Sequence, residues 1–158
     1  INETFHTIYV FSNDGSELLM TLGEKLVPGN DENHFAKPQD VAFLPDGRVL
    51  IADGLDNHRI MIMDEDLSYL GEFGGFGEEP GQFNGIHAIG VGPDGLIFAL
   101  DRSNGRINVF RTTSNPAEVE FVDVWDGFTL PLDIIVNDDS IWITDLGPLR
   151  FINLDFEG

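Results

Sequence analysis

The chain has 158 residues, of which 28 are Asp or Glu and only 8 are Lys or Arg, a formal charge of −20. That balance argues against a phosphate-backbone binder, which needs clustered cations, and against docking on an anionic membrane surface. The absence of Cys removes disulfides, thiolate chemistry and Cys-ligated zinc, and no apolar run approaches the roughly 18 residues of a membrane helix.

Strand signals follow one another along the chain. His6 to Phe11 reads as a strand, with a further strand between Ser16 and Leu22. Four more are predicted over residues 39–44, 48–53, 59–64 and 68–73, and another four over 87–92, 96–101, 106–111 and 118–124. Runs such as Val49-Leu50-Ile51-Ala52, Ile97-Phe98-Ala99-Leu100 and Ile141-Trp142-Ile143-Thr144 are short, apolar and bounded by Gly, Pro, Asp or Asn. They are too short for helices and fit buried strands. Pro45-Asp46-Gly47 and Pro93-Asp94-Gly95 are turn tripeptides, in which Pro presets the first angle and Gly accepts positive φ.

The same phrase returns with a period of about 45 residues, the size of a β-propeller blade. Its anchor Asp53 recurs as Asp101 and Asp145, each followed five or six residues later by Arg59, Arg106 and Arg150. The fold class is therefore all-β, a propeller segment of three to three and a half four-stranded blades. Its units are a partial blade over 1–23, blades over 37–74 and 85–125, and a partial blade over 130–158. Closed propellers use about four to eight blades, so the ring is expected to be completed by the remainder of a longer chain or by self-association.

A residue repeated in every blade does a job in every blade, so the Asp–Arg pairs are read as charge-assisted bonds from second strand to third. Asp40 and Asp133 begin first strands. Each is read either as a strand-start hydrogen-bond acceptor or as an axial carboxylate that, with backbone carbonyls, would suit calcium. His34 is read as packing the loop before the first full blade, and His58 as an exposed turn residue. Gly74-Gly75-Phe76-Gly77 lacks the Lys-Ser/Thr of a phosphate loop, no Gly-x-Ser-x-Gly phrase is present, and Glu78-Glu79 diverge in a loop.

The phrases Pro-x-x-Val-Ala, Asp-Gly-x-Val-x-Ile-Ala-Asp and Asn-x-Arg-Ile resemble NHL repeats. Over residues 20–111 the ordered series Asn33-His34-Phe35, Asp40-Val41-Ala42, Asp53-Gly54, Asn57, Pro80-Gly81-Gln82-Phe83, His87 and Asp101-Arg102-Ser103-Asn104-Gly105-Arg106 resembles the peptidyl-α-hydroxyglycine α-amidating lyases. That resemblance implies a six-bladed zinc-dependent propeller that cleaves a hydroxyglycine-extended peptide, with its site on the central axis. It places His87 on one of three zinc histidines and Arg102 on an arginine that binds the substrate carboxylate. Where the family carries a tyrosine after Asp53-Gly54, this chain has Leu55, which can neither donate nor accept a proton. The other two histidines have no counterpart here. The other reading is a non-catalytic propeller presenting a rigid face to a peptide or protein. An extracellular or periplasmic setting is the expectation for compartment.

Overall fold

The computed structural model describes residues 1–156 and 158, and among them there is no helix. The strands are β1 (Ile8–Phe11), β2 (Leu18–Leu22), β3 (Asp40–Phe43), β4 (Val49–Asp53), β5 (Arg59–Met63), β6 (Tyr69–Gly74), β7 (Ile86–Val91), β8 (Leu96–Asp101), β9 (Arg106–Thr112), β10 (Val119–Trp125), β11 (Pro131–Val136), β12 (Ile141–Asp145) and β13 (Arg150–Leu154). They form four antiparallel meanders in the orders β1-β2, β3-β4-β5-β6, β7-β8-β9-β10 and β11-β12-β13. Every strand in a blade pairs with its sequence neighbour, so each sheet closes by hairpins alone.

The Pro-Asp-Gly phrases do what their chemistry requires. Gly47 N donates to Leu44 O and Gly95 N to Gly92 O, and the two glycines hold φ of 93° and 80°. A side chain there would be strained. Asp46 and Asp94 each accept the backbone N–H two residues on, at 3.2 Å in both hairpins.

The middle strands are buried on both faces, β4, β5 and β8 throughout their length. Three apolar clusters lie between consecutive sheets. Ile8 and Leu22 meet Val49, Ile51 and Met61; Leu50, Ala52 and Ile60 meet Ile89, Ile97 and Phe110; Phe98, Leu100 and Ile107 meet Ile134, Ile141 and Ile143. Sheets stacked face to face in chain order, with the first strands β3, β7 and β11 neighbouring one another, are blades fanned about a common hub. This is the propeller expected from the 45-residue period, open over the described residues.

The recurring Asp–Arg pairs prove structural, as expected, and do more than join two strands. Asp101 is fully buried and accepts from Asn84 N at 2.7 Å, Asn104 Nδ2 at 2.7 Å and Arg106 Nε at 2.9 Å. Arg106 then donates to the carbonyls of Glu78, Glu79 and Gln82. The pair thus holds the loop that leads into its own blade. Asp53 and Arg59 repeat the arrangement on Ala36 N, Asn57 and the carbonyls of Asn30, Asp31 and His34. Asp145 and Arg150 do so on the N–H groups of Thr129 and Leu130 and the carbonyl of Gly127. His58 differs from its expectation. It is half-buried at φ 55°, with its ring 4.9 Å from that of Phe76.

Candidate functional site

The hub is built where first strands begin. His87 is the second residue of β7, half-buried between flanking residues Ile86 and Ala88 that are buried. Its Nδ1 lies 2.8 Å from the carbonyl oxygen of Leu132 on β11. A carbonyl can only accept, so Nδ1 carries a proton, and in the neutral ring Nε2 is the nitrogen that keeps its lone pair. A backbone partner on one ring nitrogen is the arrangement that orients a histidine to ligate through the other.

Two carboxylates share this hub. Asp40, the first residue of β3, accepts the amide of Val41 at 2.8 Å and, across the blade boundary, that of Ile89 on β7 at 2.8 Å. Asp133 on β11 accepts the amide of Ile134 at 2.9 Å. Asp40 thus fills the strand-start role, whereas Asp133, expected to begin its strand, is the third residue of β11 and makes the same neighbouring-amide bond inside it. Burial pushes the Asp40 carboxyl above the ordinary range, the two amides oppose that, Asp133 adds repulsion, and His87 pulls the other way. A raised acid holds its proton more tightly folded than unfolded. Its contribution to stability is therefore present at low pH and lost as pH rises through the folded value. Replacing Asp133 with Asn is expected to lower the Asp40 titration midpoint, read by carboxyl-carbon NMR. An unmoved midpoint would show that the two carboxylates do not sense each other.

Among the described residues no three His, Asp or Glu side chains converge as a metal cluster. His87 therefore belongs to no such group among the described residues.

Arg102 and Leu55 both lie against Gly85. Arg102 N donates to Gly85 O at 3.0 Å, two residues before His87. The Arg102 side chain is half-buried and makes no ion pair or hydrogen bond among the described residues, in a chain of net charge −20. Leu55 leans on the same Gly85, where an added Cβ would stand 3.7 Å from Leu55 Cδ2. Next to it, Gly54 carries no Cβ because Ile86 O would lie 2.0 Å away. Of the positions singled out in the sequence, the Arg102 amide and the Leu55 side chain therefore lie at Gly85, two residues along the chain from His87. Sequence reasoning missed the Leu132 carbonyl that orients His87, since any residue can supply one.

The NHL repeat profile matches residues 35–62, the lead-in and first three strands of the β3–β6 blade. The first full blade of this propeller segment thus carries an NHL repeat. This NHL propeller is 33% identical over 108 residues to a probable peptidyl-α-hydroxyglycine α-amidating lyase of Caenorhabditis elegans, which covers 66% of this chain and 31% of that protein. It is 40% identical over 101 residues to the peptidylglycine α-amidating monooxygenase of Rattus norvegicus, covering 60% of this chain and 10% of that one. The NHL propeller thus spans under a third of the length of either relative. In fold it superimposes on virginiamycin B lyase from Staphylococcus aureus with a TM-score of 0.64 at 14% identity, covering 99% of this chain and 50% of that one. No helix among the described residues is long and apolar enough to cross a membrane.

Proposed function

We propose that this NHL propeller supplies part of an amidating-lyase-type centre, in which His87 ligates a catalytic zinc and Arg102 binds the carboxylate of a peptidyl α-hydroxyglycine or a related small substrate. The observation that carries the reading is the His87 Nδ1 to Leu132 O bond, which leaves Nε2 as a ligating atom at the hub. Zinc in catalytic sites takes three protein ligands and keeps one position open, where it acts as a Lewis acid. One histidine does not fill such a site, so the remaining ligands would come from outside these residues. Arg102 suits a carboxylate because its guanidinium has no hydrogen bond or ion pair among the described residues and presents a planar fork of donors. Calcium, the other cation that the axial carboxylates suggested, would find Asp133 more accessible than Asp40, whose two oxygens are engaged.

Leu55 supports a second reading. A side chain without a proton to move stands beside Gly85, where the lyase resemblance leads one to expect a tyrosine. A propeller with this substitution fits a non-catalytic scaffold that binds a peptide or protein on its hub face. Metal analysis of the full polypeptide, together with glyoxylate release from a peptidyl α-hydroxyglycine, separates the two. The lyase reading expects bound zinc that is lost on His87→Ala, and turnover whose KM rises on Arg102→Ala. Zinc content indifferent to His87, with no glyoxylate formed, would leave the scaffold.

A further inference from the structure

The chain holds two Asn-Gly pairs, Asn84-Gly85 and Asn104-Gly105, and the fold treats them oppositely. In such a pair the glycine nitrogen can attack the carbonyl carbon of the Asn side chain, because no Cβ obstructs the ring that forms. Whether it does so depends on what holds the two groups. At Asn104-Gly105 both are held. Asn104 Nδ2 donates to Gly77 O at 2.9 Å and to the buried Asp101 carboxylate at 2.7 Å, and Gly105 N donates to Arg102 O at 3.2 Å. At Asn84-Gly85 neither is. The Asn84 side chain and the Gly85 N–H make no hydrogen bond among the described residues.

The preceding blade shows what is missing. Lys37 matches Gly85: each follows the residue whose N–H is bonded to the anchor carboxylate of its blade, Asp53 or Asp101, and each has positive φ, 63° and 99°. Lys37 N donates to His6 Nδ1 at 3.1 Å. The counterpart of His6 is His58, for a Cβ at Gly23 would meet His6 O at 2.5 Å and one at Gly74 would meet His58 O at 3.0 Å. His58 Nδ1 is nevertheless buried without a partner, its ring against Phe76. An N–H on a buried residue rarely lacks an acceptor, and that of Gly85 adjoins a half-buried, unbonded carboxamide.

We propose that Asn84 is a site of self-modification, at which the Gly85 nitrogen closes on Asn84 Cγ and expels the side-chain nitrogen as ammonia. The N–Cγ bond forms as Cγ–Nδ2 breaks, and the proton lost from the Gly85 amide balances the one that the departing nitrogen takes up. Water then opens the cyclic imide at either carbonyl, giving Asp or an isoaspartyl link. Either product carries one more negative charge. The isoaspartyl form also adds a methylene to the main chain between the Asn84 N–H on Asp101 and the Gly85 carbonyl that receives Arg102 N. This is the loop that enters β7 just ahead of His87. The chemistry is the same whether or not the lyase reading holds.

The test is incubation of the folded 158-residue chain at mildly alkaline pH, followed by peptide mapping with mass spectrometry and by enzymatic isoaspartyl methylation. Asn84 should convert at least about tenfold faster than Asn104, since three hydrogen bonds must open first at the second pair. In urea, where neither pair is held, the two rates should converge. Asn84→Gln, whose longer side chain would need a larger ring, should remove most of the ammonia released by the folded chain. Equal rates at the two pairs in the folded chain, or an Asn84 that persists there, overturns the proposal. Rates that stay apart in urea overturn it too, because the difference would then belong to the local sequence and not to the fold.

Discussion

Replacing Asp101 with Ala is expected to destabilise the protein by about 3–5 kcal/mol, a fall in Tm of roughly 10 °C or more. The carboxylate is fully buried and its removal strands three donors, Asn84 N, Asn104 Nδ2 and Arg106 Nε. The guanidinium it leaves behind is itself buried, with its remaining donors on three loop carbonyls. An uncompensated buried cation is more costly than the absent pair. The double variant Asp101→Ala/Arg106→Ala should therefore lose less than the two single losses added together. Asp145→Ala should cost less than Asp101→Ala, because the Arg150 side chain is 44% exposed and water can take over its charge. Urea denaturation of the four variants checks both orderings. Equal losses at Asp101 and Asp145 would contradict the argument from burial.

The equivalent carboxyls also titrate apart. Burial raises Asp53 despite the donors of Asn57, Ala36 and Arg59. At Asp145 burial is outweighed by the amides of Leu130 and Thr129 and by Arg150, and the carboxyl is held below its ordinary value. The uncovered last sheet accounts for the difference, since charge there is desolvated less.

Gly54→Ala is expected to cost about 3 kcal/mol, the upper end for overpacking, and to disturb the hub with it. The added Cβ would meet Ile86 O at 2.0 Å and Ile86 C at 2.8 Å, and backbone cannot swing aside as a side-chain tip can. Ile86 N also donates to Gly54 O, so the start of β7 is tied to this residue. Pushing Ile86 away moves His87, its neighbour. The corresponding positions in the next two blades carry Arg102 and Leu146, so the requirement for glycine belongs to this one contact and not to the repeat. Thermal unfolding gives the stability loss, and the His87 ring signals in NMR report the displacement. A variant with unaltered Tm would mean that the blades are not packed this closely.

Much of this was legible in the sequence. The recurring Asp, the Pro-Asp-Gly turns and the short apolar runs placed the strands of the two full blades to within about a residue. Repetition itself marked Asp53, Asp101 and Asp145 as structural. The partners of the arginines were not legible, because they are backbone carbonyls of the lead-in loops, such as those of Asn30 and Glu78, and a carbonyl has no residue signature. The same reason hid Leu132 behind His87. His58 occupies the position where the next blade has Gly105, which suggested an exposed turn. Its ring instead meets Phe76, 18 positions on, a contact that turn chemistry does not encode. The strand-start role of Asp40 was foreseen; its cross-blade bond to Ile89 depends on the blades being stacked, which only the structure shows.

The most direct test of the hub is the tautomer of His87, observed by nitrogen-15 NMR of the imidazole ring near neutral pH. The arrangement predicts a protonated Nδ1, bonded to the Leu132 carbonyl, and an Nε2 with the shift of an unprotonated nitrogen. A proton found on Nε2 instead would mean that β7 and β11 do not meet at the axis as described, and that His87 is not poised to hold a metal there.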